Sequence, residues 1–137
     1  MSTTVVLADD HEIMRKAIAN LLYADPHIQI LAQASTFAQT LELVSKLHPH
    51  IVVLDLHMKD ENSITPVQIK SGLMGTRLLA ISIWNDDETK SLAKAIGADL
   101  LLDKCNLADE LIPAIRNCAN NRNAESFLNS LEAGASD

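Results

Sequence analysis

Ile51-Val52-Val53-Leu54-Asp55 sets four apolar residues in a row against a single terminal carboxylate. An unbroken apolar run without alternation reads as a central strand of a parallel sheet, covered on both faces. Asp55 then stands where the strand ends. Ligands of open parallel sheets bind in the crevice beyond the carboxyl ends of the strands, so an acid placed there is a functional candidate on position alone. Other strand ends point the same way: Val5-Val6-Leu7-Ala8 runs into Asp9-Asp10, Leu78-Leu79-Ala80-Ile81 into Ser82, and Leu100-Leu101-Leu102 into Asp103-Lys104.

Working outward, strands and helices alternate. The first strand, Thr4 to Ala8, precedes a helical stripe of Ile13, Ala17, Ile18, Leu21 and Leu22, with Asp10 as its cap and Asp25-Pro26 as its end. Ile28 to Ala32 alternates as a second strand, with Ile28, Ile30 and Ala32 on one side. Ser35 or Thr36 opens a second helix with Phe37, Leu41, Val44 and Leu47 inward, and His48-Pro49 stops it. After Asp55 the charged stretch Leu56 to Ser63 reads as a surface loop, followed by a short helix from Ile64 to Ile69. The fourth strand is Arg77 to Ser82, with Asn85 capping a helix that faces Leu92, Ala95 and Ile96 inward and stops at Gly97. The fifth is Asp99 to Leu102, and the last helix opens at Asn106, carries Leu107, Leu111, Ile112, Ile115 and Cys118 on one side, and meets an interruption at Pro113. With right-handed crossovers this pattern gives a five-stranded parallel sheet of order 2-1-3-4-5 with helices on both faces, which brings Asp9 and Asp10 beside Asp55.

The bulk properties suit that fold. The 137 residues make one domain plus a tail, and a composition 47% hydrophobic but only 3% aromatic builds its core from Leu, Ile, Val and Ala. No apolar run approaches the ~20 residues of a membrane span. The start, Met1-Ser2-Thr3-Thr4, lacks the basic segment of a secretory signal, so a cytoplasmic location is expected. A net charge of -7 with scattered Lys and Arg argues against direct nucleic-acid binding. Cys105 and Cys118 read as reduced thiols. From Ala119 or Asn120 the chain turns polar, with Phe127, Leu128 and Leu131 able to add a helical turn or two.

Three carboxylates at one place repel one another, and a hard divalent cation relieves the repulsion. Mg2+ takes oxygen ligands and keeps several waters, using one or two carboxylates plus a phosphate, and Asp9, Asp10 and Asp55 offer those carboxylates. A carboxylate beside Mg2+ can attack a phosphoryl group and form an aspartyl phosphate. Taken singly, Lys104 reads as a surface lysine and Ser82 as a strand-end hydroxyl bonded to its own backbone. Their joint placement at the ends of neighbouring strands makes them partners for phosphoryl oxygens.

The motifs Leu7-Ala8-Asp9-Asp10-His11, Val53-Leu54-Asp55-Leu56-His57-Met58, Ala80-Ile81-Ser82 and Leu101-Leu102-Asp103-Lys104 resemble those of receiver domains in bacterial two-component response regulators. The opening and the turn Ile96-Gly97-Ala98-Asp99 most resemble receivers of regulators with a LuxR-type output. The resemblance implies a flavodoxin-like receiver over residues 3–119 and a polar tail or linker over 120–137. It implies Asp55 as phospho-acceptor, Asp9, Asp10, Asp55 and the backbone carbonyl of His57 around Mg2+, Lys104 as the pairing cation and Ser82 as the hydroxyl that signals phosphorylation. Trp84 and His57 would flank the site and govern water access. The implied partners are a sensor histidine kinase or phosphotransfer protein, and a second copy through the first and fifth helices or through the fourth helix, fifth strand and fifth helix. The domain would catalyse only its own phosphorylation and dephosphorylation. Lys59 stands where the family usually has Pro, Ser63 where it has Gly, Leu101 where it has an aromatic residue, and Cys105 where Pro is common. Two other readings stand beside the switch: a Mg2+-dependent phosphohydrolase with an aspartyl nucleophile, and an inactive receiver serving only as an interaction module.

Overall fold

The computed structural model describes residues 2–120. In order along the chain come β1 (Thr3–Ala8), α1 (Glu12–Tyr23), β2 (Ile28–Ala34), α2 (Phe37–Leu47), β3 (Ile51–Asp55), α3 (Pro66–Gly72), β4 (Arg77–Ser82), α4 (Asp87–Ala95) and β5 (Leu100–Asp103). A 3-10 turn (Lys104–Asn106) leads into α5, helical over 107–120. All strands are parallel, in the order β2-β1-β3-β4-β5. This is the doubly wound flavodoxin-like α/β fold that the alternation of strand and helix implies. The polar tail, with Phe127, Leu128 and Leu131, lies outside the described residues.

Side chains of the central strands alternate between two cores. Val5, Leu7, Val53, Leu79 and Ile81 pack with Ile18 and Leu22 of α1 and with Leu111 and Ile115 of α5. Val6, Ala8, Val52, Leu54 and Ala80 pack instead with Phe37, Val44, Ile69 and Ile96 from the α2, α3 and α4 side. Ile51 to Leu54 are all fully buried, which explains why the run shows no polar alternation: each residue faces one core or the other.

Several local expectations are corrected. Val5 pairs with Ile30 but Val6 with Ala32, so Leu31 is an extra residue in β2. That bulge shifts the pleat, and Ala32 joins the side opposite Ile28 and Ile30. His11, not Asp10, caps α1, its Nδ1 accepting the Met14 N–H at 3.2 Å. Asp86, not Asn85, caps α4 by accepting the Thr89 N–H at 2.8 Å. The third helix starts two residues later than expected, because Thr65 and Gln68 form a reciprocal capping box ahead of Pro66. Leu47 is exposed, and in α4 Ala93 rather than Ala95 is buried. The last helix runs on through Pro113. Both cysteines are free thiols, Cys105 exposed and Cys118 buried.

α2 ends on His48 in the left-handed conformation, φ 49° and ψ 58°, with its side chain exposed. A residue with a Cβ is strained there, and glycine is not. We expect His48→Gly to stabilise the fold by about 0.5–1 kcal/mol, the relief being partly offset by the greater freedom of glycine in the unfolded chain. Urea unfolding checks this, and a loss of stability would contradict it.

Candidate functional site

Strand ends at the carboxyl edge of the sheet close with the same short turn. Asp9 Oδ1 accepts the His11 N–H at 2.9 Å, Asp55 Oδ1 the His57 N–H at 3.1 Å, Ser82 Oγ the Trp84 N–H at 3.0 Å, and Asp103 Oδ1 the Cys105 N–H at 2.8 Å. A side-chain oxygen bonded two residues ahead satisfies a backbone donor as the chain leaves the sheet. Asp9 and Asp55 therefore each spend one oxygen on local structure and turn the other to the crevice. The turn at Asp9 also displaces the start of α1 onto His11, which frees Asp10 from capping.

Because β1 and β3 are neighbours, with Ala8 opposite Leu54, their terminal acids converge. One oxygen each from Asp9, Asp10 and Asp55 lies within 4.8 Å of the others. Asp9 and Asp55 are buried and Asp10 half-buried. Lys104, just past β5, reaches back so that Nζ lies 2.8 Å from Asp9 Oδ2 and 3.2 Å from Asp55 Oδ2. Asp9 Oδ2 has no aligned hydrogen bond among the described residues, so its contact with Lys104 is an ion pair that leaves acceptor capacity free. The donors are all carboxylate oxygens, a set that fits a hard divalent cation and offers nothing to a soft one.

Burial pushes the Asp55 carboxyl up to about 6, and the charge on Asp9 adds to the effect, while the His57 N–H and the Lys104 ammonium pull the other way. For Lys104, burial works against the charge, but Asp9 and Asp55 together outweigh it and hold its pKa above the ordinary lysine value. Ser82 is fully buried; its Oγ accepts from Trp84 and keeps its own proton for another acceptor.

The flanking residues named from sequence meet each other. The rings of His57 and Trp84 pack edge to face, with centroids 4.7 Å apart and planes at 74°. His57 Nδ1 lies 3.5 Å from Glu61 Oε2, and Trp84 is half exposed. The loop bearing Lys59 and Ser63 folds as two successive turns, Glu61 N–H to the Met58 carbonyl at 3.0 Å and Ser63 N–H to the Asp60 carbonyl at 2.9 Å. Among the described residues the one non-glycine with positive φ is His48, so Ser63 occupies a backbone conformation that needs no glycine.

Two supporting residues escaped the sequence reading. Asp60 accepts the N–H groups of Phe37 and Ala38 at 2.9 and 3.0 Å, pinning the loop after β3 to the start of α2, where a helix favours negative charge. Arg15 donates from Nη1 to the Asp9 carbonyl at 2.8 Å and from Nε to Gln33 Oε1 at 3.3 Å. In sequence Asp60 is one charge in a charged run and Arg15 one polar residue on a solvated helix face, so neither carries a local signal.

Residues 5–116 match the response regulator receiver domain family. The chain is 29% identical over 117 residues to the nitrate/nitrite response regulator protein NarL of Escherichia coli, covering 85% of this chain and 54% of that protein. It is 31% identical over 113 residues to the transcriptional regulatory protein LiaR of Bacillus subtilis, covering 82% of this chain and 54% of that one. The chain thus spans about half the length of these curated relatives. Among solved structures, the signal receiver domain of NarL from Mycobacterium tuberculosis superposes with a TM-score of 0.76 at 26% identity, over 87% of this chain and 97% of that chain.

The raised carboxyl of Asp55 has a consequence for stability. Its folded pKa of about 6 exceeds the unfolded value near 3.9, so folding favours the protonated form. The stabilisation from that proton is complete below about pH 4 and lost as pH rises through about 6. In EDTA we expect Asp55→Asn to match the parent near pH 4 and to exceed it by about 1–3 kcal/mol at pH 7. Urea unfolding across that range checks the difference, and a pH-independent difference would contradict it.

Proposed function

The chain belongs to the response regulator receiver domain family, and from that membership we propose that it is a phosphorylation-dependent signalling switch with Asp55 as the phospho-acceptor. The observation that carries the reading is the convergence of Asp9, Asp10 and Asp55 within 4.8 Å, with Lys104 3.2 Å from Asp55 Oδ2. A phosphoryl group on a histidine kinase or phosphotransfer protein is the proposed donor. Asp55 Oδ2 attacks its phosphorus in line, an O–P bond forms, and the donor's P–N bond breaks. Asp9 and Asp10, with Asp55 and the His57 backbone carbonyl, would hold Mg2+, which when bound neutralises phosphoryl charge as it develops.

The chain's own residues do the rest. Asp55 is oriented by the His57 N–H, so the attacking oxygen is the one beside Lys104. Lys104 shifts its pairing from Asp55 to a phosphoryl oxygen, and the Ser82 hydroxyl donates to another. Trp84, set against His57, partly covers the acid and limits attack by water. With Leu101 in place of an aromatic residue, the switch relies on Ser82 and the turn after β4.

Residues 3–119 are the proposed receiver unit and 120–137 a tail or linker, in a cytoplasmic protein. A second copy would pack through α1 and α5, where Ile13 and Tyr23 are exposed, or through α4, β5 and α5, where Leu100 is. The excess of acidic residues makes this chain a poor ligand for nucleic acid. No helix among the described residues is long and apolar enough to cross a membrane. The aspartyl phosphohydrolase reading is disfavoured by the adjacency of Asp9 and Asp10, where an Asp-x-Asp pattern is needed. The inactive-module reading is disfavoured by the intact pairing of Lys104 with two acids.

Incubation with acetyl phosphate and Mg2+ should add one phosphoryl group by intact mass, Asp55→Asn should add none, and Lys104→Ala should slow uptake at least tenfold. Uptake by Asp55→Asn equal to the parent's would move the acceptor elsewhere. Trp84→Ala should shorten the phosphorylated lifetime several-fold, and an unaltered lifetime would end the role of Trp84 as a cover.

A further inference from the structure

Beside the phospho-acceptor a cavity of about 600 Å3 opens between the loop after β3, the start of α3 and the start of α4. Leu56, Ile64, Ile69 and Leu92 line it, with the ring of Trp84 at its side. Trp84 and its neighbour Ile83 are more than half exposed, an unfavourable position for large apolar side chains with nothing over them. Glu61, Asp86 and Glu88 also line it, and no lysine or arginine among the described residues does. Asp86 is held below the usual carboxylate range by its hydrogen bonds with Thr89, so the rim is negative at neutral pH.

An apolar hollow ringed by carboxylates selects its occupant by charge. The chain's own residues from 121 onward carry Arg122 against Glu125, Glu132 and Asp137, and so would add negative charge to a negative rim. A second copy, at a net charge of -7, faces the same repulsion. We propose that this cavity is a docking site for a basic, apolar-anchored peptide segment of a partner protein, with aliphatic side chains in the hollow and Lys or Arg against Glu61, Asp86 and Glu88. The size suits this mode, since about 600 Å3 takes a few anchoring side chains but not a whole domain. Two of its walls hang on the phospho-acceptor region: the His57 N–H is held by Asp55 and the Trp84 N–H by Ser82. Coupling of docking to phosphorylation rests on the switch reading; docking itself does not.

Trp84 is the chain's single tryptophan and reports on the site directly. The probe is a short synthetic helix with leucines on one face and lysines on the other, titrated into the unphosphorylated full chain at moderate salt. We expect a saturable blue shift of Trp84 emission. Affinity should fall at least tenfold in Glu88→Lys and stay within twofold in Glu110→Lys, an equal charge change on α5 away from the cavity. The same helix with glutamates for lysines should not bind. Amide exchange should show protection confined to residues 56–69 and 84–92. Equal weakening by Glu110→Lys, binding of the glutamate helix, protection centred elsewhere, or a dimer of the chain that blocks the peptide would each overturn the proposal. Because no phosphodonor is present, its failure is distinct from a failure of Asp55 to accept phosphate.

Discussion

Everything at the carboxyl edge depends on how two buried carboxylates are kept together. Asp9 and Asp55 come from adjacent strands and cannot both ionise in a dry site without compensation. Lys104 supplies it by lying within 3.2 Å of both. One ammonium against three acids still leaves negative charge in excess, and burial above all, with the charge on Asp9 adding to it, pushes the Asp55 carboxyl up to about 6. Such a site is neither fully satisfied nor unstable enough to open. It is left ready for an additional cation, and readiness of that kind is a property of function more than of folding.

Precision at the site comes from the turns that end the strands. Asp9, Asp55, Ser82 and Asp103 each bond to the backbone two residues on, so the groups that face the crevice also shape the loops around it. A carboxylate tied by one oxygen has lost most of its rotational freedom and presents the other in a fixed direction. Arg15 and Asp60 extend the bracing outward, one to the backbone of Asp9 and the other from the loop after β3 to α2. The site is thus held by the same hydrogen bonds that terminate the sheet.

This arrangement explains what could be read from the chain beforehand. Ile51 to Leu54 and the matching runs of β1 and β4 announce a parallel sheet because burial on both faces leaves no polar alternation, and right-handed crossovers narrow the strand order to the few doubly wound ones. Asp9, Asp55, Ser82 and Lys104 were legible as strand-end residues for that reason. His11 in place of Asp10 as the cap of α1, and the phase of β2, were not, since the first depends on the turn that Asp9 makes and the second on a bulge at Leu31 that only pairing with β1 reveals. Asp60 and the cavity at Trp84 lay further out of reach: each joins segments distant in sequence that share no period.

The link between site and surface follows from Ser82. Its Oγ is fully buried and already accepts the Trp84 N–H, so it cannot travel toward a newly arrived oxyanion without loosening that turn. Leu101 offers no aromatic ring at the end of β5: it is an aliphatic residue packed against the core on the α4 side. In the proposed switch, displacement at Ser82 is therefore delivered to the backbone of Trp84 and the start of α4. The side of the molecule that moves is then the side that carries the acid-rimmed cavity, and a partner seated there would sense the phosphoryl group through Ser82, which would donate to a phosphoryl oxygen and accepts from the Trp84 N–H.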